Sequence, residues 1–237
     1  PPPARGSMER MTSPRRRDPL SDAIAAWANA HDYTPTTAPV TGPDGRTRAV
    51  LTRAGHPAVE AVAAPTSLLD EAERCSWLHG RFPAPAMADY VERPDASLVV
   101  TFPLAGVPAD APRWRDEPET AVQAIGAALG RLHALDASTC PFDPPGWLVD
   151  DVGDEVAVLH GAPLPHHVLL DDVGALAGIV GLGSLGPGDP WADLAVAAHG
   201  VREVFGPGWV DALVEALGLT RDDDRAEHYL RQWQASR

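Results

Sequence analysis

The stretch from Leu159 to Ala195 constrains the fold of this chain most strongly, because short apolar runs in it are separated by clear turn signals. The first run ends at Leu159 and leads into His160-Gly161 and a loop broken by prolines. A second run, residues 168–170, is followed by the turn Asp171-Asp172-Val173-Gly174 and by a third run, residues 177–180. Runs of this length around such a turn are typical of a β-hairpin. The sequence therefore predicts a hairpin between two polar loops.

The same stretch closely resembles the catalytic and metal loops of the aminoglycoside phosphotransferases, particularly the 3′-phosphotransferase branch. In that family the pattern is His-Gly-Asp, then Asn five residues after the Asp, then a loop of the Ile-Asp-Leu-Gly type. Here Ala162 stands at the catalytic Asp, His167 at the Asn that binds metal, and Gly181 at the metal-binding Asp. The sequence thus keeps the spacing of the family's loops but has other residue types at these three positions.

Two further regions carry the resemblance. Residues 57–65 resemble the family's Pro-x-Leu-x-Leu-Lys-Val-Ala-Pro strand, with Val62 at the position of the lysine that contacts the α- and β-phosphates. Glu71 matches the glutamate that pairs with this lysine, so we expect it to be solvated or to pair elsewhere. Asp189 and Asp193 match family positions, and the resemblance implies that Asp193 braces the catalytic loop.

The resemblance implies an α+β fold, namely a bilobal protein-kinase-like fold with a small β-rich N-lobe and a larger helical C-lobe. We expect residues 1–19 to be a disordered arm or tag remnant, residues 20–105 to form the N-lobe with the hinge near its end, and residues 106–237 to form the C-lobe with the degenerate loops. Cys140-Pro-Phe-Asp143 matches the 3′-phosphotransferases, but residues 144–159 are too few for the substrate-binding helices that follow this motif there. A shortened C-lobe is therefore predicted.

Local patterns predict individual elements. Ser21 is a plausible N-cap of a first helix, and Gly42-Pro-Asp-Gly45 reads as a hairpin turn. The apolar faces predicted for three helices are Ile24, Trp27, Ala28 and His31; Leu68, Leu69, Ala72, Cys75 and Leu78; and Val122, Ile125, Leu129 and Leu132.

Composition excludes some classes of function. The formal net charge of −14 argues against nucleic-acid binding, which requires a basic face. No apolar run reaches the roughly 18 residues that span a bilayer, and two cysteines favour a reduced, cytoplasmic setting over a disulfide scaffold. All nineteen basic residues are arginine, which is typical of a GC-rich bacterial genome. We expect no membrane and no nucleic-acid partner.

The chemistry that remains favours a pseudo-phosphotransferase. Phosphoryl transfer needs a metal that bridges the phosphates, a cation on them and a group that orients the nucleophile. Val62, Ala162, His167 and Gly181 remove these groups together, so we expect neither ATP nor Mg²⁺ as a cofactor. The apolar replacements also predict a less charged cleft, which an apolar ligand or the protein's own side chains could fill. The expected partner is a small molecule or a protein, in a natural-product or resistance-related context.

A second hypothesis is a repurposed enzyme. Imidazole is the natural acid–base group at neutral pH, so His160 and His167 are candidate catalytic residues for isomerisation, elimination or cyclisation of a natural-product intermediate. A third hypothesis, an active antibiotic kinase, is least favoured by the missing groups. No metal site is expected, because His-x5-His-His is no established zinc spacing. The candidate pocket residues are Glu71, His160, His166, His167, Asp189 and Trp191.

Overall fold

The structure, a computed structural model, describes residues 18–150, 153 and 155–237. Its first part is dominated by a six-stranded antiparallel sheet, and its second part by helices with two smaller sheets. The predicted α+β architecture is therefore confirmed. The predicted arm lies outside the described residues, apart from Asp18 and Pro19, which begin the first helix.

The large sheet contains strands β1 (Thr34–Pro35), β2 (Val40–Thr41), β3 (Thr47–Thr52), β4 (Val59–Ala64), β5 (Ala86–Glu92) and β6 (Ser97–Phe102). Its strand order is β1-β3-β4-β6-β5, and β2 pairs with the end of β3. The predicted turn at residues 42–45 joins β2 to β3, which confirms the hairpin there.

Helix α1 (Pro19–Ala30) covers one face of this sheet. The N-cap is Asp18 rather than Ser21, because its carboxylate accepts the backbone N–H of Leu20 at 3.3 Å and because proline favours the first helical position. His31 lies beyond the helix end and is exposed, so its predicted burial was wrong. The cluster under α1 comprises Leu20, Ala23, Ile24, Trp27, Ala28, Ala49, Leu51, Val59, Ala61, Ala63, Ala96, Leu98 and Val100.

The opposite face of the sheet carries the side chains that line a cleft. Because strand residues alternate between faces, Glu60 and Val62 point away from α1. Val62 lies between Arg48 of β3 and Val99 of β6 in the pairing register, and Glu60 lies opposite Thr101. Side chains from three strands therefore form one continuous wall.

Helix α2 (Leu69–Leu78) packs beside this wall. Leu68, Ala72, Cys75 and Leu78 are buried, as predicted. Leu69 is 43% exposed, so its predicted burial was wrong. The reason is geometric: successive helical residues turn by about 100°, and the buried Leu68 directs its neighbour outward.

The second part of the chain is mainly helical. Its helices are α3 (Pro112–Arg115), α4 (Pro118–His133), α5 (Pro190–Phe205), α6 (Val210–Ala216) and α7 (Asp223–Ala235). The stripe predicted on α4 is confirmed, because Val122, Ile125, Leu129 and Leu132 are each at most 1% exposed. Among the described residues, no helix is long and apolar enough to cross a membrane.

Short strands connect these helices and carry the loops of interest. β8 (Ala157–Leu159) pairs with β11 (Gly186–Gly188), and β9 (Val168–Leu170) pairs with both β7 (Val107–Pro108) and β10 (Leu176–Ile179). The β9–β10 hairpin is the one predicted from the sequence. The described residues between Asp143 and β8 contain no helix.

Candidate functional site

A cleft of about 870 Å³ lies between the sheet wall, α2 and the loops that follow β8 and β10. The structure brings five of the predicted site residues to this cleft: Val62, Glu71, His166, His167 and Gly181. His160 and Ala162 lie directly behind His167 rather than on the cleft surface, as their contacts below show. These five residues come from β4, α2 and the loops after β8 and β10, so they lie on several sides of the cleft.

A buried aspartate fixes the loop that follows β8. Asp193 of α5 is fully buried, and its carboxylate accepts the backbone N–H groups of His160 at 2.7 Å and Gly161 at 2.8 Å. Nε2 of His133, from the last turn of α4, lies 3.1 Å from the same carboxylate. Asp193 therefore holds the position of the His-Gly loop, as the resemblance implied. His133 was missed by the sequence analysis.

Both ring nitrogens of His160 are occupied by hydrogen bonds. Nε2 lies 2.9 Å from the carbonyl oxygen of Val180, and Nδ1 accepts the backbone N–H of Ala162 at 3.3 Å. Complete burial lowers the pKa of His160, outweighing the opposing charge of Asp193. A neutral ring that donates at Nε2 satisfies both bonds. The hydrogen bonds tie the His-Gly loop to the strand end at Val180.

His167 occupies the space beside Gly181. Its Nδ1 lies 2.7 Å from the carbonyl oxygen of Ala162, and its ring stacks on His160 with a centroid separation of 5.2 Å. Burial, followed by the proximity of His160 and His166, lowers the pKa of His167 to about 3. His166 makes an edge contact with His167 at 4.1 Å. His167 is therefore neutral at physiological pH.

Gly181 has no room for a side chain. Its φ of 76° lies in the left-handed region, and a Cβ added there would lie 2.7 Å from both Cδ2 and Nε2 of His167. Real Cβ contacts are not that short, so any side chain at position 181 would displace the ring. The imidazole of His167 thus fills the space that a residue-181 side chain would need.

Glu71 is paired rather than solvated. Its carboxylate accepts a hydrogen bond from Arg46 at 2.7 Å, and the Glu71 side chain is only 18% exposed. Arg46 lies at the end of the β2–β3 turn. Arg48, two residues further on, binds both carboxylate oxygens of Asp44, at 3.1 and 2.6 Å. The sequence analysis missed both arginines.

The predicted reduction of charge in the cleft stays a prediction, although charged side chains still line the cleft. Arg46, Arg48, Asp44, Glu60 and Glu71 all line it. Arg46 and Arg48 flank the start of β3 beside the predicted turn, and this cluster of charge was the signal available in the sequence. Val62 itself is uncharged, and the two cations nearby in sequence are Arg46 in the β2–β3 turn and Arg48 on β3.

Asp189 and Trp191 lie away from the cleft. Asp189 is fully buried, caps α5 by accepting the backbone N–H of Trp191 at 3.0 Å, and accepts hydrogen bonds from Arg225 and Tyr229 of α7. Trp191 is 6% exposed and packs in the core of the helical part. Their contacts join α5 to α7.

The family's metal positions do not offer a magnesium site. Mg²⁺ prefers oxygen ligands in octahedral geometry, whereas His167 presents an imidazole and Gly181 no side chain. Within the described residues, no group of three or more His, Cys, Asp or Glu side chains could hold a metal ion. The residues present therefore do not fit the ion that the fold family implies.

The two-lobed fold, with a cleft between a β-sheet and a helical part, places the protein in the class of protein-kinase-like phosphotransferase folds. A sequence model of the phosphotransferase enzyme family matches residues 27–153 and 144–230. The chain therefore belongs to the phosphotransferase enzyme family.

Individual relatives agree with this assignment. Streptomycin 3''-kinase of Streptomyces griseus is 28% identical over 213 residues, covering 68% of this chain and 76% of the relative. Aminoglycoside 3'-phosphotransferase of Streptomyces fradiae is 28% identical over 200 residues, covering 66% and 74%. These relatives share sequence over most of their length.

Solved structures support the same fold. Aminoglycoside phosphotransferase APH(3'')-Id of Streptomyces rimosus is 25% identical with a TM-score of 0.69, covering 89% of this chain and 97% of the other. An aminoglycoside-3'-phosphotransferase of type VIII has a TM-score of 0.75 at 22% identity, covering 90% and 98%. The Streptomyces rimosus enzyme has also been solved in complex with ADP and streptomycin.

Proposed function

We propose that this protein is a pseudo-phosphotransferase, which binds a small molecule in the cleft and does not transfer phosphate. The observation that carries the proposal is the contact between His167 and Gly181, because the ring fills the space that a metal-binding side chain at position 181 would occupy. Ala162 adds to this, since its side chain has no carboxylate to orient a nucleophile. Its carbonyl instead accepts the hydrogen bond of His167.

The relatives indicate the kind of ligand. They are named for streptomycin and other aminoglycosides, and one is solved with ADP and streptomycin. We therefore propose a small natural-product-like molecule as the ligand, rather than a nucleic acid or a membrane. The charged wall of the cleft supports a polar ligand over a purely apolar one.

Acid–base chemistry has less support than binding. His160 uses both ring nitrogens in structural hydrogen bonds, and a general base works best when its pKa lies near the working pH. The pKa of about 3 for His167 makes that ring a weak base. An active kinase has less support as well, since magnesium and the nucleophile-orienting group must both be replaced.

The test is a phosphate-transfer assay with γ-labelled ATP, Mg²⁺ and either streptomycin or hygromycin B. We expect no labelled antibiotic from this protein, while the Streptomyces griseus streptomycin 3''-kinase, run alongside, labels streptomycin. Transfer that increases with protein concentration and is lost in Glu71→Gln would overturn the proposal. The Glu71 variant is the matched control, because it separates transfer in this cleft from a contaminating kinase.

A restored variant tests the same proposal through binding. It carries Val62→Lys, Ala162→Asp, His167→Asn and Gly181→Asp together, since the asparagine makes room for the new aspartate. We expect ATP with Mg²⁺ to raise the unfolding temperature of this variant and to leave that of the unaltered protein unchanged. Equal Mg²⁺-dependent stabilisation of both proteins would contradict the proposed loss of the metal site.

A further inference from the structure

The charged side chains of the cleft do not all have partners. Arg46 pairs with Glu71 at 2.7 Å, and Arg48 pairs with Asp44 at 2.6 Å, so these four charges compensate one another. Glu60, the second residue of β4, makes no ion pair and no side-chain hydrogen bond with any part of the chain that the structure describes. It is partly buried and faces the cleft. A carboxylate is thus held on the cleft wall without an ion-pair or hydrogen-bond partner among the described residues, although Arg48 acts on it electrostatically and Arg237 also lines the cleft.

The surroundings of Glu60 disfavour an unpaired charge. Partial burial is the main cause that raises its pKa, and the charge of Glu71 adds to the effect, while Arg48 opposes it. Burying a charge costs free energy unless a partner compensates it. An incoming cation would supply that partner. An incoming phosphate would be repelled by the same carboxylate.

A second polar group beside Glu60 is also without a partner. Thr101 lies directly opposite Glu60 on β6, is only 7% exposed and lines the cleft. Its hydroxyl makes no hydrogen bond within the described residues. Residues opposite each other on paired strands share a face, so the hydroxyl and the carboxylate can bind one donor group together.

The wall next to these two groups is apolar. Val62 and Val99 form the next pair of β4 and β6 on this face of the sheet, and both line the cleft. A ligand with a protonated amine beside an apolar body would therefore match the wall. The ammonium would donate to Glu60 and Thr101, and the body would lie against the two valines.

We propose that the cleft recognises small molecules that carry a protonated amine next to an apolar group, with Glu60 and Thr101 as the binding residues for the ammonium. This inference rests on the proposed binding function and names its ligand class. It places a cation on the sheet side of the cleft, where the resemblance puts the nucleotide.

Benzylamine and its neutral counterpart benzyl alcohol are suitable probes, since they share the ring and differ in the ammonium. Their dissociation constants are measured with the full chain by ligand-observed NMR at pH 7.5. We expect benzylamine to bind at least about tenfold more tightly than benzyl alcohol, as for a hydrogen-bonded charge pair. Equal affinities, or no binding of benzylamine, would overturn the inference, and this comparison needs no variant.

Variants then assign the site. Glu60→Gln should weaken benzylamine binding about tenfold, and Thr101→Val should weaken it less. Glu60→Gln should change benzyl alcohol binding much less than benzylamine binding, because a hydroxyl donates a hydrogen bond without carrying a charge. Glu203→Gln, which removes an exposed carboxylate on α5, is the matched control for net charge and should leave both constants unchanged. An unchanged constant for benzylamine in Glu60→Gln would refute the assignment. Phosphate transfer is measured in a separate assay. Its detection would overturn the proposed function, whereas the benzylamine measurements alone decide whether Glu60 and Thr101 bind an ammonium group.

Discussion

Replacing Gly181 by alanine tests whether the His167 ring fills the space beside it. An alanine with the φ of 76° found at Gly181 is strained, which costs about 1–2 kcal/mol. The new Cβ, 2.7 Å from the ring, would also displace His167 and break its hydrogen bond to Ala162. Leaving a buried partner unsatisfied costs about 1–3 kcal/mol. Together these effects should lower the free energy of unfolding by roughly 2–5 kcal/mol.

The two contributions can be separated by a double-mutant cycle. In His167→Asn the shorter side chain leaves room for the Cβ, so only the backbone strain of Gly181→Ala should remain. The interaction energy between the two substitutions should therefore be about 1–3 kcal/mol. Urea denaturation followed by tryptophan fluorescence measures each corner of the cycle.

Gly45→Ala is the matched control for backbone strain. Gly45 has a similar φ of 73°, and nothing lies within 4 Å of a Cβ placed there. Its substitution should cost only the strain of about 1–2 kcal/mol, with or without His167. If Gly181→Ala and Gly45→Ala cost the same, or if Gly181→Ala and His167→Asn add to within about 0.5 kcal/mol, the ring does not fill the space and the main support for the proposed function is lost.

Three other predictions concern stability. The pKa of His167 is near 6.5 in the unfolded chain and about 3 in the folded protein, so the unfolded chain binds this proton more readily between these two pH values. The free energy of unfolding should therefore fall by roughly 2 kcal/mol from pH 8 to pH 5. In urea titrations, His167→Asn should reduce this dependence on pH. Arg46→Ala should lower the free energy of unfolding by about 1 kcal/mol in the unaltered protein, because the pair with Glu71 is partly buried, and by much less in a Glu71→Gln background. Equal losses in both backgrounds would show that the pair does not contribute to stability. Asp193→Asn should lower the unfolding free energy by at least about 2 kcal/mol in the same assay, because a buried charged acceptor of two backbone N–H groups is lost, and a loss below about 0.5 kcal/mol would contradict its bracing role.

Local sequence patterns were sufficient to predict the elements that carry the site. The β9–β10 hairpin and the stripe of α4 follow from apolar periodicity and turn residues, which act over a few positions. The start of α1 was misplaced because Asp18 and Ser21 are both good capping residues. Pro19 after Asp18 was the signal that distinguishes them.

The partners of the site residues could not be predicted in the same way. Glu71 and Arg46 are 25 positions apart and meet only because the β2–β3 turn folds over α2. Similarly, the match of His167 to a metal-binding position gives no sign that its ring lies against Gly181. Such contacts depend on tertiary packing, so the sequence indicated which family positions carry other residue types and not which partners those residues have.

The proposed function treats the cleft as a rebuilt site rather than as an eroded kinase, and two contacts support this view. Loss of the family's lysine without compensation would leave Glu71 as a half-buried carboxylate with no cation, yet Arg46 lies 2.7 Å from it. Loss of the metal-binding residues alone would leave a void at position 181, yet His167 fills it and bonds to Ala162. Removing one member of such a partly buried pair is costly, so Arg46 and His167 each stabilise the cleft in its present form. Glu60 is the exception, since its charge is left without a partner in the described chain, and this is why a cationic ligand is the expected occupant.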